Sequence, residues 1–176
     1  MKRSLTPAAT ALSVAVLLAA CCGGGGGDSD IVFEDEDPER SEQSGSVVVG
    51  GAAVAAQNGV YANSNVYLNA VEKVNPPGSD PELCRYRFAR MNLAGSDYVM
   101  EGDIRYQPGT PTVRVMFVTI SNGTRTTDYS LDEPVGATVD RTNDEVDFAG
   151  ARLSNGTDTI TLTGSIPMRD DRPEGC

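Results

Sequence analysis

From residue 46 onward, apolar and polar positions alternate in short runs bounded by turn residues, the pattern of strands with one face in a core. In residues 98–106, Tyr98, Met100, Ile104 and Tyr106 fall on one side, and Val99, Glu101, Asp103 and Arg105 on the other. Gly102 interrupts the apolar side and marks a bulge or a close approach of two backbones. Residues 113–120 are largely apolar on both sides, with Val113, Val115 and Phe117 against Met116, Val118 and Ile120, which predicts a central strand. In residues 157–168, Ile160, Leu162, Ile166 and Met168 alternate with Thr159, Thr161, Thr163 and Ser165. Cys84, Tyr86 and Phe88 alternate with Arg85 and Arg87, and residues 66–74 read as a further strand. No run in this region carries a helical period. Its best helix candidate, residues 52–57, is short and follows Gly50-Gly51.

The turns reinforce the strands. Asn-Gly occurs at Asn58-Gly59, Asn122-Gly123 and Asn155-Gly156, and the last two stand in the same tetrapeptide, Ser-Asn-Gly-Thr, before a Thr-rich run. Asn-Gly tolerates positive φ at both positions, so these two sites predict hairpins with two-residue primed turns. Such a loop at 155–156 sets Ala151 opposite Ile160 and Ala149 opposite Leu162. It also leaves Phe148 opposite Thr163, and a bulge near Gly150 returns Phe148 and Val146 to the core. Pro76-Pro77-Gly78 and Pro108-Gly109 are further turn signals. The pattern predicts an all-β domain over residues 46–176 with about seven to nine antiparallel strands, as a β-sandwich or a small closed β-barrel. Both architectures give short strands and hairpin turns, so both stay open.

The first 45 residues are different in kind. Lys2 and Arg3 are followed by an apolar run from Pro7 to Ala20, broken only by Thr10 and Ser13. It is too short for an ordinary spanning helix and has the layout of a secretory signal. Its end, Leu18-Ala19-Ala20-Cys21, resembles the lipobox of bacterial lipoprotein precursors at all four positions. The resemblance covers residues 1–21 alone. It implies that residues 1–20 are a cleavable signal and that the Cys21 thiol receives a diacylglyceryl group. Cys21 then becomes the acylated first residue of the mature chain. Were Cys22 the acceptor, Cys21 would stand just before the cut, where the family has small residues. More than one acyl chain makes attachment to the lipid bilayer stable. Cys22, not Asp, follows the lipidated residue, so the resemblance favours the outer over the inner membrane of the cell envelope. Residues 21–45 then read as a disordered tether. Five glycines at 23–27 precede Asp28, Asp30, Glu34, Asp35, Glu36, Asp37, Glu39 and Glu42. Gly-rich coil of this length spans roughly 25–30 Å, and clustered like charge extends it. Its acids lack the spaced ligands and central glycine of an EF-hand loop.

Composition narrows the chemistry. The 176 residues carry 14 basic and 25 acidic side chains, a net charge of −11, and Lys2 and Arg3 leave with the signal. So acidic a chain argues against nucleic acid and against electrostatic docking on anionic lipid. The absence of histidine removes Ser-His-Asp and Cys-His catalysis and the usual histidine-containing zinc sites. Lys73 is the only lysine beyond the signal, and it stands in a plain strand. Carboxylate pairs at Asp132/Glu133, Asp144/Glu145 and Asp170/Asp171 fall in expected loops. Asp140, Asn143, Asp144, Glu145 and Asp147 offer oxygen ligands for calcium, against the plainer reading of an acidic turn. Arg85, Arg87 and Arg90 form a basic strip suited to an anion, against the plainer reading of a strand face balanced by nearby acids. If Cys21 is acylated, Cys22, Cys84 and Cys176 remain for pairing in an oxidising envelope. A Cys84–Cys176 bridge is favoured, because Cys22 lies at the membrane end of the tether. That bridge would pin the tail after Met168 onto the domain.

These features predict an envelope lipoprotein with a non-catalytic binding or structural β-domain, its partner an envelope protein or a small ligand, and no cofactor. The alternative is a β-barrel carrier of a small apolar ligand, in a cavity lined by residues such as Tyr86, Phe88, Met100 and Phe117. A filled core would favour the first reading. A further alternative is an enzyme using carboxylates or calcium, marked by carboxylates clustered in a pocket.

Overall fold

The structure, a computed structural model, describes residues 37–75 and 81–176. The signal segment, Cys21, Cys22, the glycine run, the acidic stretch up to Glu36 and the Pro76-Pro77-Gly78 turn lie outside the described residues. Twelve strands form one antiparallel sheet: β1 (Glu39–Arg40), β2 (Gly45–Gly50), β3 (Gly59–Asn63), β4 (Tyr67–Leu68), β5 (Glu72–Val74), β6 (Leu83–Leu93), β7 (Val99–Tyr106), β8 (Val113–Ser121), β9 (Thr126–Leu131), β10 (Ala137–Asp140), β11 (Glu145–Ser154) and β12 (Thr159–Pro167). Among the described residues pairing begins at Glu39, inside the stretch that composition reads as tether.

Eight of these strands pair in chain order, β2-β3-β6-β7-β8-β9-β11-β12, and β12 returns to β2. The sheet therefore closes into an up-and-down barrel, which removes open edges. Closure through Leu162↔Val49 and Gly164↔Val47 decides for a barrel over a sandwich. Two staves are broken: β3 is continued along β6 by β4 and β5, and β9 is continued along β11 by β10.

A barrel of about eight strands has an interior just wide enough for side chains to fill. Tyr61, Tyr86, Phe88, Met100, Ile104 and Leu162 point inward and are at most 1% exposed. Arg85, Asp103, Arg114, Asp128 and Arg152 point outward. Apolar inside and charged outside is the reverse of a membrane-spanning barrel. Among the described residues no helix is long and apolar enough to cross a membrane, and the helical element is a 3₁₀ turn, Ala55–Gln57.

The in–out pattern expected for 98–106 and 157–168 is present, with Tyr98, Met100, Ile104, Tyr106, Ile160, Leu162, Ile166 and Met168 all buried. Strand β8 departs from expectation. A register shift between Arg105↔Val115 and Tyr106↔Val113 turns Val113 inward, beside Met116, Val118 and Ile120. Phe117 stays on the outer face, 47% exposed. Both Ser-Asn-Gly-Thr sites form hairpins, but with four-residue loops: Ser121 pairs with Thr126 and Ser154 with Thr159. In each loop the Asn side-chain oxygen accepts backbone N–H groups two and three residues on, and this widens the turn. The expected bulge at Gly150 is present. Ala149 pairs with Thr163 and Ala151 with Leu162, which brings Phe148 and Val146 into the core.

Each barrel end is closed. At one end the segment after β2 inserts Gln57, the buried polar residue of the described chain. Its amide donates to Thr127 Oγ1 at 3.0 Å and accepts from the Tyr129 hydroxyl at 3.2 Å. Its backbone oxygen accepts from the Tyr61 hydroxyl at 2.9 Å. At the other end residues 168–176 form a strap that is tied to Cys84 at the start of β6, to Tyr106 at the end of β7 and to Gly109 and Arg141.

Candidate functional site

The strap end is built from three staves. Strand β6 alternates, so Cys84, Tyr86 and Phe88 share its inner face. Register sets Cys84 opposite Tyr106 and Tyr86 opposite Ile104 on β7. Ladder pairing of β12 stops at Pro167, and Met168 donates its N–H to the Asp144 oxygen at 2.6 Å. The strap then runs back to Cys176, which is joined to Cys84 by the disulfide expected from the sequence. The Tyr106 hydroxyl donates to the Cys176 oxygen at 2.9 Å and lies 3.5 Å from Met168 Sδ. Gly109 N–H and Arg141 Nη1 both donate to the Gly175 oxygen, at 2.8 and 3.0 Å. Arg172 Nη2 donates to the Arg141 oxygen and to Asp144.

At this end two buried donors lack a hydrogen-bond partner among the described residues: the Tyr86 hydroxyl on β6 and Nη1 of the strap's own Arg172. A buried donor left unanswered costs about 1–3 kcal/mol. Burial, and then the neighbouring Tyr106, push the Tyr86 hydroxyl well above the ordinary tyrosine pKa. Burial also pushes Tyr106 up to about 12, against the pull of Arg172 and Arg141. Both hydroxyls therefore stay protonated, and only that of Tyr106 has an acceptor among the described residues. At this end of the filled interior the Tyr86 and Tyr106 hydroxyls lie near the guanidinium groups of Arg141 and Arg172, a chemistry that binds an oxygen acceptor.

The residues expected to line a carrier cavity do not meet. Tyr86, Phe88 and Met100 face the interior, whereas Phe117 alternates with the inward Met116 and Val118 and stands outside. Phe117 instead borders two open grooves on the barrel wall. One is flanked by Arg87, Glu101 and Asp103, the other by Asp128, Asp132 and Asn155.

The arginine strip is a balanced strand face. Arg85 pairs with Glu72 at 3.2 Å and with Asp103 at 2.8 Å, and Arg105 shares Asp103 at 3.1 Å. Arg90 leaves the strip at a bulge, with φ 61°, and lies 4.3 Å over the Tyr67 ring. Lys73 pairs with Glu82 at 3.2 Å.

Of the calcium candidates, Asp140, Glu145 and Asp147 bring oxygens within 4.8 Å of one another. Asn143 donates instead to Asp140, at 2.8 Å, and Asp144 turns to Arg172. Backbone N–H groups of Asn143 and Thr142 lower the Asp140 pKa. Burial, then Glu145 and Asp140, raise that of Asp147.

Sequence reasoning missed the unanswered Tyr86 hydroxyl, the Gln57 plug and the strap's polar ties. Gln57 sits in a run of small residues with no motif around it, and the strap contacts depend on closure of the barrel. Comparison with family models, with curated proteins and with solved structures finds no match.

Proposed function

We propose that this chain is a lipid-anchored envelope protein whose barrel binds a partner or serves a structural role, without covalent chemistry of its own. The observation that carries the reading is the closed barrel with a filled interior and its charged groups outside. Acid–base catalysis near neutral pH needs a group with a pKa near the working pH. Without histidine that role falls to a carboxyl raised by burial or like charge. Asp147 is raised, but it stands on the outer face of β11 with Glu145, beside Asp140 of β10, rather than in the barrel. The grooves beside Phe117 offer an exposed ring among hydrogen-bonding groups, a surface suited to contact with an envelope protein.

The anchor rests on the lipobox resemblance at Cys21 and favours the outer membrane. Growth with labelled fatty acid tests it: wild-type chain should take up label, and Cys21→Ser should stay an unlabelled precursor. A labelled, membrane-bound Cys21→Ser product would overturn the anchor. The non-enzymatic reading is tested with esterase, glycosidase, peptidase and phosphatase substrates, with and without calcium. Turnover abolished by one carboxylate-to-amide change would replace it with a carboxylate enzyme.

A second reading, a carrier of a small apolar ligand inside the barrel, is favoured by one observation: the Tyr86 hydroxyl, buried in the interior without a partner among the described residues.

A further inference from the structure

We infer that the strap 168–176 is a gate over a ligand site inside the barrel, with the Cys84–Cys176 disulfide as its latch. The ligand is an apolar molecule with a carboxylate head. The inference rests on the carrier reading and adds its entrance, its control and its ligand class.

The strap is separable from the barrel. It makes no ladder pairing after Pro167, and the β12–β2 closure lies entirely before it. It is held by one covalent link and by bonds to Tyr106, Gly109, Arg141 and Asp144. Only Met168 and Cys176 of the strap are buried, while Asp170, Asp171, Glu174 and Gly175 face water. Lifting it uncovers the barrel mouth and leaves every stave paired.

The mouth is chemically matched to a carboxylate. Tyr106 already donates to an oxygen, the strap's own Cys176 carbonyl. That carbonyl holds the place a ligand's head oxygen would take. The Tyr86 hydroxyl is a donor that the closed strap leaves unanswered among the described residues. Arg141, now spent on Gly175, is released when the strap lifts. Below the hydroxyls, Ile104, Met116, Val146 and Ile166 are fully buried. An apolar chain entering there takes the place of Met168. Opening the latch needs a dithiol reductant. It passes two electrons and two protons to the Cys84 and Cys176 sulfurs, which become thiols, and is itself oxidised to a disulfide.

The test is a fluorescence titration of the full chain with cis-parinaric acid, a fluorescent fatty acid. The oxidised chain, the chain reduced with dithiothreitol and the Cys84→Ser/Cys176→Ser double variant are compared. Far-UV circular dichroism confirms the barrel in each. Reduced and double-variant chains should bind about tenfold tighter than the oxidised chain. Tyr86→Phe in the reduced chain should lose about tenfold, the scale of one hydrogen bond to a charged group, and the methyl ester of the probe should bind less tightly than the acid. If the double variant fails to fold, Arg172→Ala loosens the strap with the disulfide intact and should also tighten binding. Equal affinity in oxidised and reduced folded chains would overturn the gate while leaving the carrier reading standing. Binding indifferent to Tyr86→Phe would overturn the site. Absence of binding in every folded form would overturn the carrier reading and the inference with it.

Discussion

The hydroxyl of Tyr106 donates to the carbonyl oxygen of Cys176 at 2.9 Å, tying the end of β7 to the strap across 70 residues of chain. The disulfide from Cys84 makes a second tie at the same place across 92 residues. On the chain-entropy account, closing so long a loop stabilises by roughly 4–5 kcal/mol. The Cys84→Ser/Cys176→Ser variant should lose about that much in urea unfolding, less whatever strain the bridge holds. Peptide mapping without reductant should show the two cysteines linked. Free thiols at both positions would contradict the pairing.

Tyr86 and Tyr106 should respond oppositely to loss of the hydroxyl. Tyr106→Phe leaves the Cys176 oxygen without its donor and should cost about 1–3 kcal/mol. Tyr86→Phe removes a buried donor that has no partner among the described residues, so stability should hold or rise by up to about 1 kcal/mol. Denaturant unfolding of the two variants checks this. Equal losses would mean that Tyr86 has a partner the account lacks.

Two glycines separate close packing from backbone strain. A Cβ on Gly102 would stand 2.5 Å from the Phe117 oxygen and 2.7 Å from the Phe88 ring. Gly102→Ala should therefore cost about 1–3 kcal/mol through overpacking. Gly123 has φ 80° and open space around it, so Gly123→Ala meets only left-handed strain, about 1 kcal/mol. Melting curves should rank the two in that order.

Asp147 gives a pH dependence of known sign. Burial, then Glu145 and Asp140, raise its pKa in the folded chain. The folded state thus binds more protons than the unfolded state between the ordinary carboxylate value and the raised one. Stability falls as pH rises through that window. Asp147→Asn should stabilise the chain at neutral pH by roughly 0.5 kcal/mol, the scale of a surface charge pair. The gain should vanish below the ordinary carboxylate range, where both states carry the proton. A gain that persists in acid would assign it to packing instead.

Much of the barrel was legible in the alternation of residues. Ile160, Leu162 and Ile166 announce a strand with one wet face, and Gly150 announces the bulge that brings Phe148 inside. Barrel closure was not legible, because local pattern is the same in a sandwich and a barrel. It depends on β12 meeting β2 across the whole described chain. Phe117 was misplaced because residues 113–120 are apolar on both faces, so local pattern does not say which face is inward; Met116, Val118 and Ile120 take the core and leave Phe117 outside. The disulfide followed from elimination among the cysteines. The unanswered hydroxyl of Tyr86 did not, since a lack of partners belongs to packing in three dimensions.

Native mass spectrometry of the chain released with mild detergent from the cells that make it tests the central claim most directly. The account predicts a chain beginning at an acylated Cys21, oxidised at Cys84 and Cys176, and carrying a non-covalent passenger, either an envelope protein or a small molecule. A bare, unacylated chain that turns over a substrate in the hydrolase assays would contradict it.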